Sequence, residues 1–257
     1  MPIMPHKNSP GPAIAVCRGI PTKHMSVIYF IRHGQASFAS EDYDRLSALG
    51  HVQSEILGKY LARLEISFHG VYTGTLRRQR ETAQAVLAHM PRAAGLSVVE
   101  TEGLDEYDSE GVISSQLPAM IEEDPRFAQD ARHMEERRSF QRVFEGAMLR
   151  WASGRHDRPG VESWAGFSNR VRGEIRRIMQ ENGRHKSIAV FTSGGPICAS
   201  VQMALGITAE TAVRLNWQIM NTSVSEFKYN DTGIFMASFN SVHHLRLERR
   251  PELLTYR

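Results

Sequence analysis

The chain has 257 residues, 41% of them hydrophobic, which is enough for one sizeable core. Its 31 Lys and Arg against 28 Asp and Glu leave a net charge of +3, which argues against the strongly basic surface of a nucleic-acid binder. No stretch reaches the roughly 18–20 apolar residues that span a bilayer, and Cys17 and Cys198 match no ligand or disulfide spacing, so a reducing, cytoplasmic setting fits.

Residues 1–25 are rich in Pro and Gly, and their longest apolar run is too short for the core of a secretory signal. They read as a disordered tail, or as text upstream of a start at Met25. The organised domain is expected over 26–257. "SVIYFI" is a β-rich apolar run ending at Arg32-His33-Gly34. Leu46, Leu49, Val52, Ile56, Tyr60 and Leu64 recur at helical spacing and predict an amphipathic helix over 46–65. "GVYTG" predicts a second strand, followed by a helix from Leu76 to Met90 that stops before Pro91, and "LSVVET" predicts a third strand. From about 111 to 160 the text is charged and helical, without a strand, and reads as an insertion over one end of the sheet. Trp164, Phe167, Val171, Ile175 and Ile178 mark another helix. "SIAVFT" is a fourth strand, and "SVSEFKY" and "GIFMASF" form a pair turned at Asn230-Asp231. This alternation predicts an α/β fold, a three-layer sandwich with a largely parallel central sheet and the helical insertion over the strand carboxyl ends.

Ligands of parallel sheets gather at those carboxyl ends. Four of them carry polar chemistry here: Arg32-His33-Gly34, Arg78, Glu106, and Ser193-Gly194-Gly195. A neutral imidazole can attack phosphorus, guanidinium groups can hold the spread negative charge, and a carboxylic acid can protonate the departing oxygen. The parts therefore suit phosphoryl transfer. Ser193 itself reads as a phosphate ligand or a nucleophile, but a nucleophile of the G-x-S-x-G kind is disfavoured because Phe191 stands where a glycine is expected.

"YFIRHGQAS" resembles the signature of the histidine phosphatase superfamily, phosphoglycerate mutase-like branch. "LSALGHVQSEILGKYL" is similar to that family's first helix, and Leu76, Arg78, Thr82 and Ala83 in "GTLRRQRETAQA" keep its spacing. "GLDE" and "VESWAGFSNRV" resemble its acid-bearing segment and a later helix. The resemblance implies that His33 is phosphorylated, that Arg32 and Arg78 bind phosphoryl oxygens, and that Glu106 protonates the leaving group and then activates water. It also implies substrate contacts from Gln35 and Ser37, and no metal or other cofactor.

Three departures stand out. Ser193 takes the place of the family's second histidine, which makes Ser193 and Gly194 the expected replacement phosphate ligands. Exchange of a charged donor for a neutral one weakens the contact by roughly 1–2 kcal/mol, about a 5- to 30-fold slowing. Gly74 stands where serine is usual, and a glycine expected soon after the acid is displaced to Gly111, which leaves Glu110 as a rival to Glu106. His243 and His244 read as a strand-end pair facing solvent, although either could reach the site. The expected function is a metal-independent phosphatase acting through phosphohistidine on a small phosphorylated metabolite or a phosphoprotein. Mutase activity is disfavoured, because keeping a phosphoryl group between half-reactions needs a closed, cationic site. The alternative is a pseudophosphatase that binds phosphorylated ligands without turnover. Arg132, Arg137, Arg138 and Arg142 of the insertion are candidates for a second anionic group.

Overall fold

The computed structural model describes residues 25–37 and 44–256. The predicted tail, apart from Met25, and Cys17 lie outside the described residues. Six strands form one sheet in the order β3-β2-β4-β1-β5-β6. They are β1 (Ser26–Arg32), β2 (Gly70–Thr73), β3 (Val98–Glu100), β4 (Ser187–Thr192), β5 (Val224–Asn230) and β6 (Gly233–Ser241). The first four run parallel, β5 pairs antiparallel with β1, and β6 antiparallel with β5.

Both faces of the central strands are covered, which is why β1 and β4 read as unbroken apolar runs. Ile28, Phe30, Ile188 and Val190 join one core cluster, while Ile31, Ala189 and Phe191 join the other. On the second face lie α1 (Ala48–Arg63) and α2 (Arg77–Leu87). The first face is covered by α6 (Trp164–Asn182), α7 (Gly194–Leu205) and the insertion, which consists of α3 (Ser109–Glu123), α4 (Arg126–Ala131) and α5 (Arg137–Ala152). Helices α8 (Ala209–Asn216) and α9 (His243–Leu247) complete the chain. The predicted three-layer α/β sandwich is the observed architecture, with its sheet mixed at the β5-β6 edge. Among the described residues no helix is long and apolar enough to cross a membrane.

Helix α1 forms where predicted but buries a different row. Its buried residues are Gly50, Gln53, Ser54, Leu57, Gly58 and Leu61, while Val52 and Leu64 are 36% and 52% exposed. The cause is close approach and polar support. A Cβ at Gly50 would lie 2.2 Å from the Gln35 carbonyl oxygen, and Gln53 is buried because it accepts from Gln35 N–H (2.9 Å) and donates to the Leu253 carbonyl (2.8 Å). In α6 the predicted row, Trp164 to Ile178, is buried throughout. Helix α7 had no predicted counterpart: every residue from Gly194 to Val201 is buried, and burial all round erases the 3.6-residue alternation. The His243–His244 reading is corrected as well. The pair begins α9, with His243 exposed and His244 2% exposed against Thr222 and Tyr60.

Candidate active site

His33 follows the last residue of β1 and is 5% exposed. Its backbone N–H donates to the Thr192 carbonyl (2.9 Å), and its own carbonyl accepts from Thr222 N–H (3.3 Å) and Asn221 Nδ2 (3.1 Å). Asn221 Oδ1 accepts from the Thr255 hydroxyl (2.8 Å), whose oxygen accepts in turn from Gln53 Nε2 (2.8 Å). Thr222 has φ +53°, a left-handed conformation that a β-branched residue adopts only when its surroundings enforce it. Its hydroxyl is held by His244 Nε2 at 3.0 Å. The backbone behind His33 is therefore fixed from several elements at once.

The imidazole is oriented just as closely. Nδ1 lies 2.7 Å from the Gly34 carbonyl oxygen, which only accepts, so Nδ1 carries the proton and Nε2 keeps its lone pair. Arg78 Nε donates to that Nε2 at 3.3 Å. Burial foremost, then Arg78 and Arg32, hold the His33 pKa well below 6.5, partly offset by the Gly34 bond. The ring is neutral at neutral pH, with its lone pair beside two guanidinium groups.

Arg78 sits in the first turn of α2, and Asp44 ties that turn down by accepting from Arg77 N–H (2.8 Å) and Arg78 Nη1 (2.6 Å). Arg32 Nη1 donates to the Ile219 carbonyl. Glu106 follows a short 3-10 helix at Glu102–Leu104, and both its carboxylate oxygens accept from Gly195 N–H (3.1 and 3.2 Å). Only glycine permits this approach, since a Cβ at residue 195 would lie 2.0 Å from Glu106 Oε1. Burial raises the Glu106 pKa above 4.5 against the opposing pull of the Gly195 bond, Arg78, Arg32 and the Tyr107 N–H. Glu110, by contrast, is exposed in the first turn of α3, and Gly111 donates its N–H to the capping Asp108 carboxylate (2.9 Å).

Arg32, His33, Gln35, Arg78 and Glu106 line one cavity of about 1040 Å³, whose lining also includes Tyr107, Phe140, Phe144, Trp217 and Tyr256. Of the four insertion arginines only Arg137 lines it; Arg142 pairs with Asp130, and Arg132 and Arg138 are exposed elsewhere. Ser193 and Gly194, expected as phosphate ligands, are buried and are not among the cavity's lining residues. Ser193 is 0% exposed, and its hydroxyl accepts from Gln79 Nε2 at 2.8 Å. Ser37 also stands outside the lining, its hydroxyl donating to the Leu46 carbonyl (3.1 Å). Among the described residues no group of three His, Cys, Asp or Glu side chains is placed to hold a metal ion. Asp44, Asn221 and Thr255 carry no signal in the sequence, because each acts on a residue more than thirty positions away along the chain.

A family model described as histidine phosphatase superfamily (branch 1) matches residues 28–242. Over 64 residues, 25% of this chain, the sequence is 42% identical to the mitochondrial serine/threonine-protein phosphatase Pgam5 of Caenorhabditis briggsae, and the match spans 22% of that relative's length. A phosphoglycerate mutase from Bacillus anthracis shares the fold with a TM-score of 0.61 at 19% identity, covering 88% of this chain and 97% of that one. A phosphoserine phosphatase from Entamoeba histolytica does so with a TM-score of 0.60 at 19% identity, covering 86% and 100%. At that identity the two solved structures bear on the fold alone.

Proposed function

The chain belongs to branch 1 of the histidine phosphatase superfamily, and from that premise we propose that it is a metal-independent phosphomonoesterase acting through a phosphohistidine at His33. The observation that carries the reading is the imidazole itself: neutral, its proton fixed on Nδ1 by Gly34, its Nε2 lone pair beside Arg78 in a cavity shared with Glu106. Nε2 attacks phosphorus as the ester P–O bond breaks, Arg32 and Arg78 hold the phosphoryl oxygens, and Glu106 gives its proton to the leaving oxygen. The raised Glu106 pKa supports the acid role. Glu106, now a carboxylate, takes a proton from water as that water bonds to phosphorus and the N–P bond breaks, releasing inorganic phosphate. Substrates of this reading are a small phosphorylated metabolite or a phosphoprotein.

The test is hydrolysis of p-nitrophenyl phosphate with and without chelator, together with quenching in alkali to trap acid-labile phosphoprotein. Chelator-resistant turnover and trapped phosphoprotein, both lost in His33→Ala, are expected. A wild type that binds inorganic phosphate without turnover or trapped phosphoprotein would instead make the protein a binding module. Turnover surviving in His33→Ala would assign another nucleophile.

A further inference from the structure

Gly74, Gln79 and Ser193 are distant in sequence and interlocked in space. Gln79 follows Arg78 on α2 and is fully buried. Its Nε2 donates to Ser193 Oγ at 2.8 Å and makes a longer 3.4 Å contact with the Leu104 carbonyl. Leu104 stands two residues before Glu106, and Ser193 two residues before Gly195, whose N–H holds the Glu106 carboxylate. One amide nitrogen thus spans the three segments that present Arg78, Glu106 and the Gly195 N–H.

Two further observations fit the same unit. Ser193 is the N-cap residue of α7 yet makes no capping bond with its side chain, unlike Ser47 and Ser163, whose hydroxyls accept from Gly50 and Gly166. Gly74 supplies the room that Gln79 needs, since a Cβ there would lie 1.9 Å from Gln79 Oε1 and 2.6 Å from Asp105 Oδ1. Gln79 Oε1 is buried with no hydrogen-bond partner among the described residues. An orphaned buried acceptor destabilises a fold, and an apolar side chain of similar length would fill the space without one. A glutamine here therefore serves position rather than packing.

We propose that Gln79 is a positioning residue of the active site, a crosspiece that sets Arg78 on α2 against the Leu104–Glu106 and Ser193–Gly195 segments. The proposal rests on the phosphatase reading for its effect on rate, but the geometry it asserts is testable without turnover. Gln79→Met keeps the length and removes the N–H donor. It is expected to lower kcat for p-nitrophenyl phosphate about tenfold, the scale of one well-placed hydrogen bond, with KM close to wild type. Because the Gly195 bond draws the Glu106 pKa down, slackening it moves the Glu106-linked limb of the pH–rate profile upward. The groups facing Glu106 are Arg32 from β1, Arg78 from α2, Cys198 from α7 and the adjacent Tyr107, all unchanged in the variant. The Glu106 carboxyl, followed by carbon NMR, should titrate higher in Gln79→Met even if the wild type shows no turnover. A wild-type kcat with an unmoved limb, or, in a protein without turnover, an unmoved Glu106 titration, overturns the proposal. A second cycle guards against misfolding: Ser193→Ala, which removes the acceptor of the Gln79 N–H, lowers kcat or shifts the Glu106 titration in the wild-type background and adds little to Gln79→Met. Equal effects in both backgrounds overturn it as well.

Discussion

Strands β1 and β4 lie side by side, with Arg32 opposite Thr192, yet their carboxyl ends are built in opposite ways. At the β1 end the backbone of His33 is consumed by support, from Thr192, Asn221 and Thr222, and the side chain is left to line the cavity. At the β4 end the side chain of Ser193 is itself the point of support, taken by Gln79, and it is a backbone N–H two residues on that holds Glu106. Strand ends of the same sheet therefore reach the site by different atoms. Which atom acts depends on what the neighbouring helix has already engaged.

The contrast can be broken at its strongest point. Gly195→Ala places a Cβ 2.0 Å from Glu106 Oε1, so the carboxyl has to leave its seat; kcat for p-nitrophenyl phosphate should fall by about 100-fold, the scale of a displaced general acid, with the fold intact by circular dichroism. Near-wild-type turnover would mean that the β4 end does not place the acid. A smaller effect comes from Ser193→His. If that position is sealed, an imidazole overpacks a site that is 0% exposed, costing about 1–3 kcal/mol in chemical denaturation and lowering turnover. Adding Gln79→Ala should recover much of the lost stability but not the turnover, whereas a faster Ser193→His single variant would show that the serine faces the phosphoryl group after all.

The smallest effect at neutral pH belongs to His244, which props Thr222 behind the β1 end. Burial foremost, and then His243, lower its pKa to about 3. The unfolded chain, titrating near 6.5, binds the proton first, so the stability from this group is present above pH 6.5 and is lost as the pH falls toward 3. His244→Phe should therefore flatten the acid slope of unfolding free energy by about one proton. His33, lowered in the same direction, keeps the remaining slope from vanishing. An unchanged slope would show that His244 is protonated in the folded protein.

Several features of the molecule were legible in the residues alone. The apolar runs of β1 and β4, the row from Trp164 to Ile178 and the hairpin turn, which falls at Asp231-Thr232, one residue beyond the predicted Asn230-Asp231, each carry a local signal, because a strand buried on both faces, a one-sided helix and a tight hairpin each constrain neighbouring positions. The convergence of Arg32, His33, Arg78 and Glu106 was readable for the same reason, since each ends or follows a recognisable strand of one sheet. Where the signal was absent, burial or hydrogen bonding had replaced periodicity. Helix α7 is covered on every side, and α1 turns Gln53 and Ser54 inward because their polar atoms find partners there.

The sequence by itself determined the α/β order, the helical insertion and the strand ends that present Arg32, His33, Arg78 and Glu106, since these follow from neighbours a few residues apart. Only the tertiary structure decided that Glu106 and not Glu110 enters the cavity, that Ser193 is sealed by Gln79, and that Asn221 and Thr255 brace His33 from behind. Those outcomes rest on contacts between residues dozens to hundreds of positions apart, and a hydrogen bond or a missing Cβ at such a distance leaves no pattern along the chain.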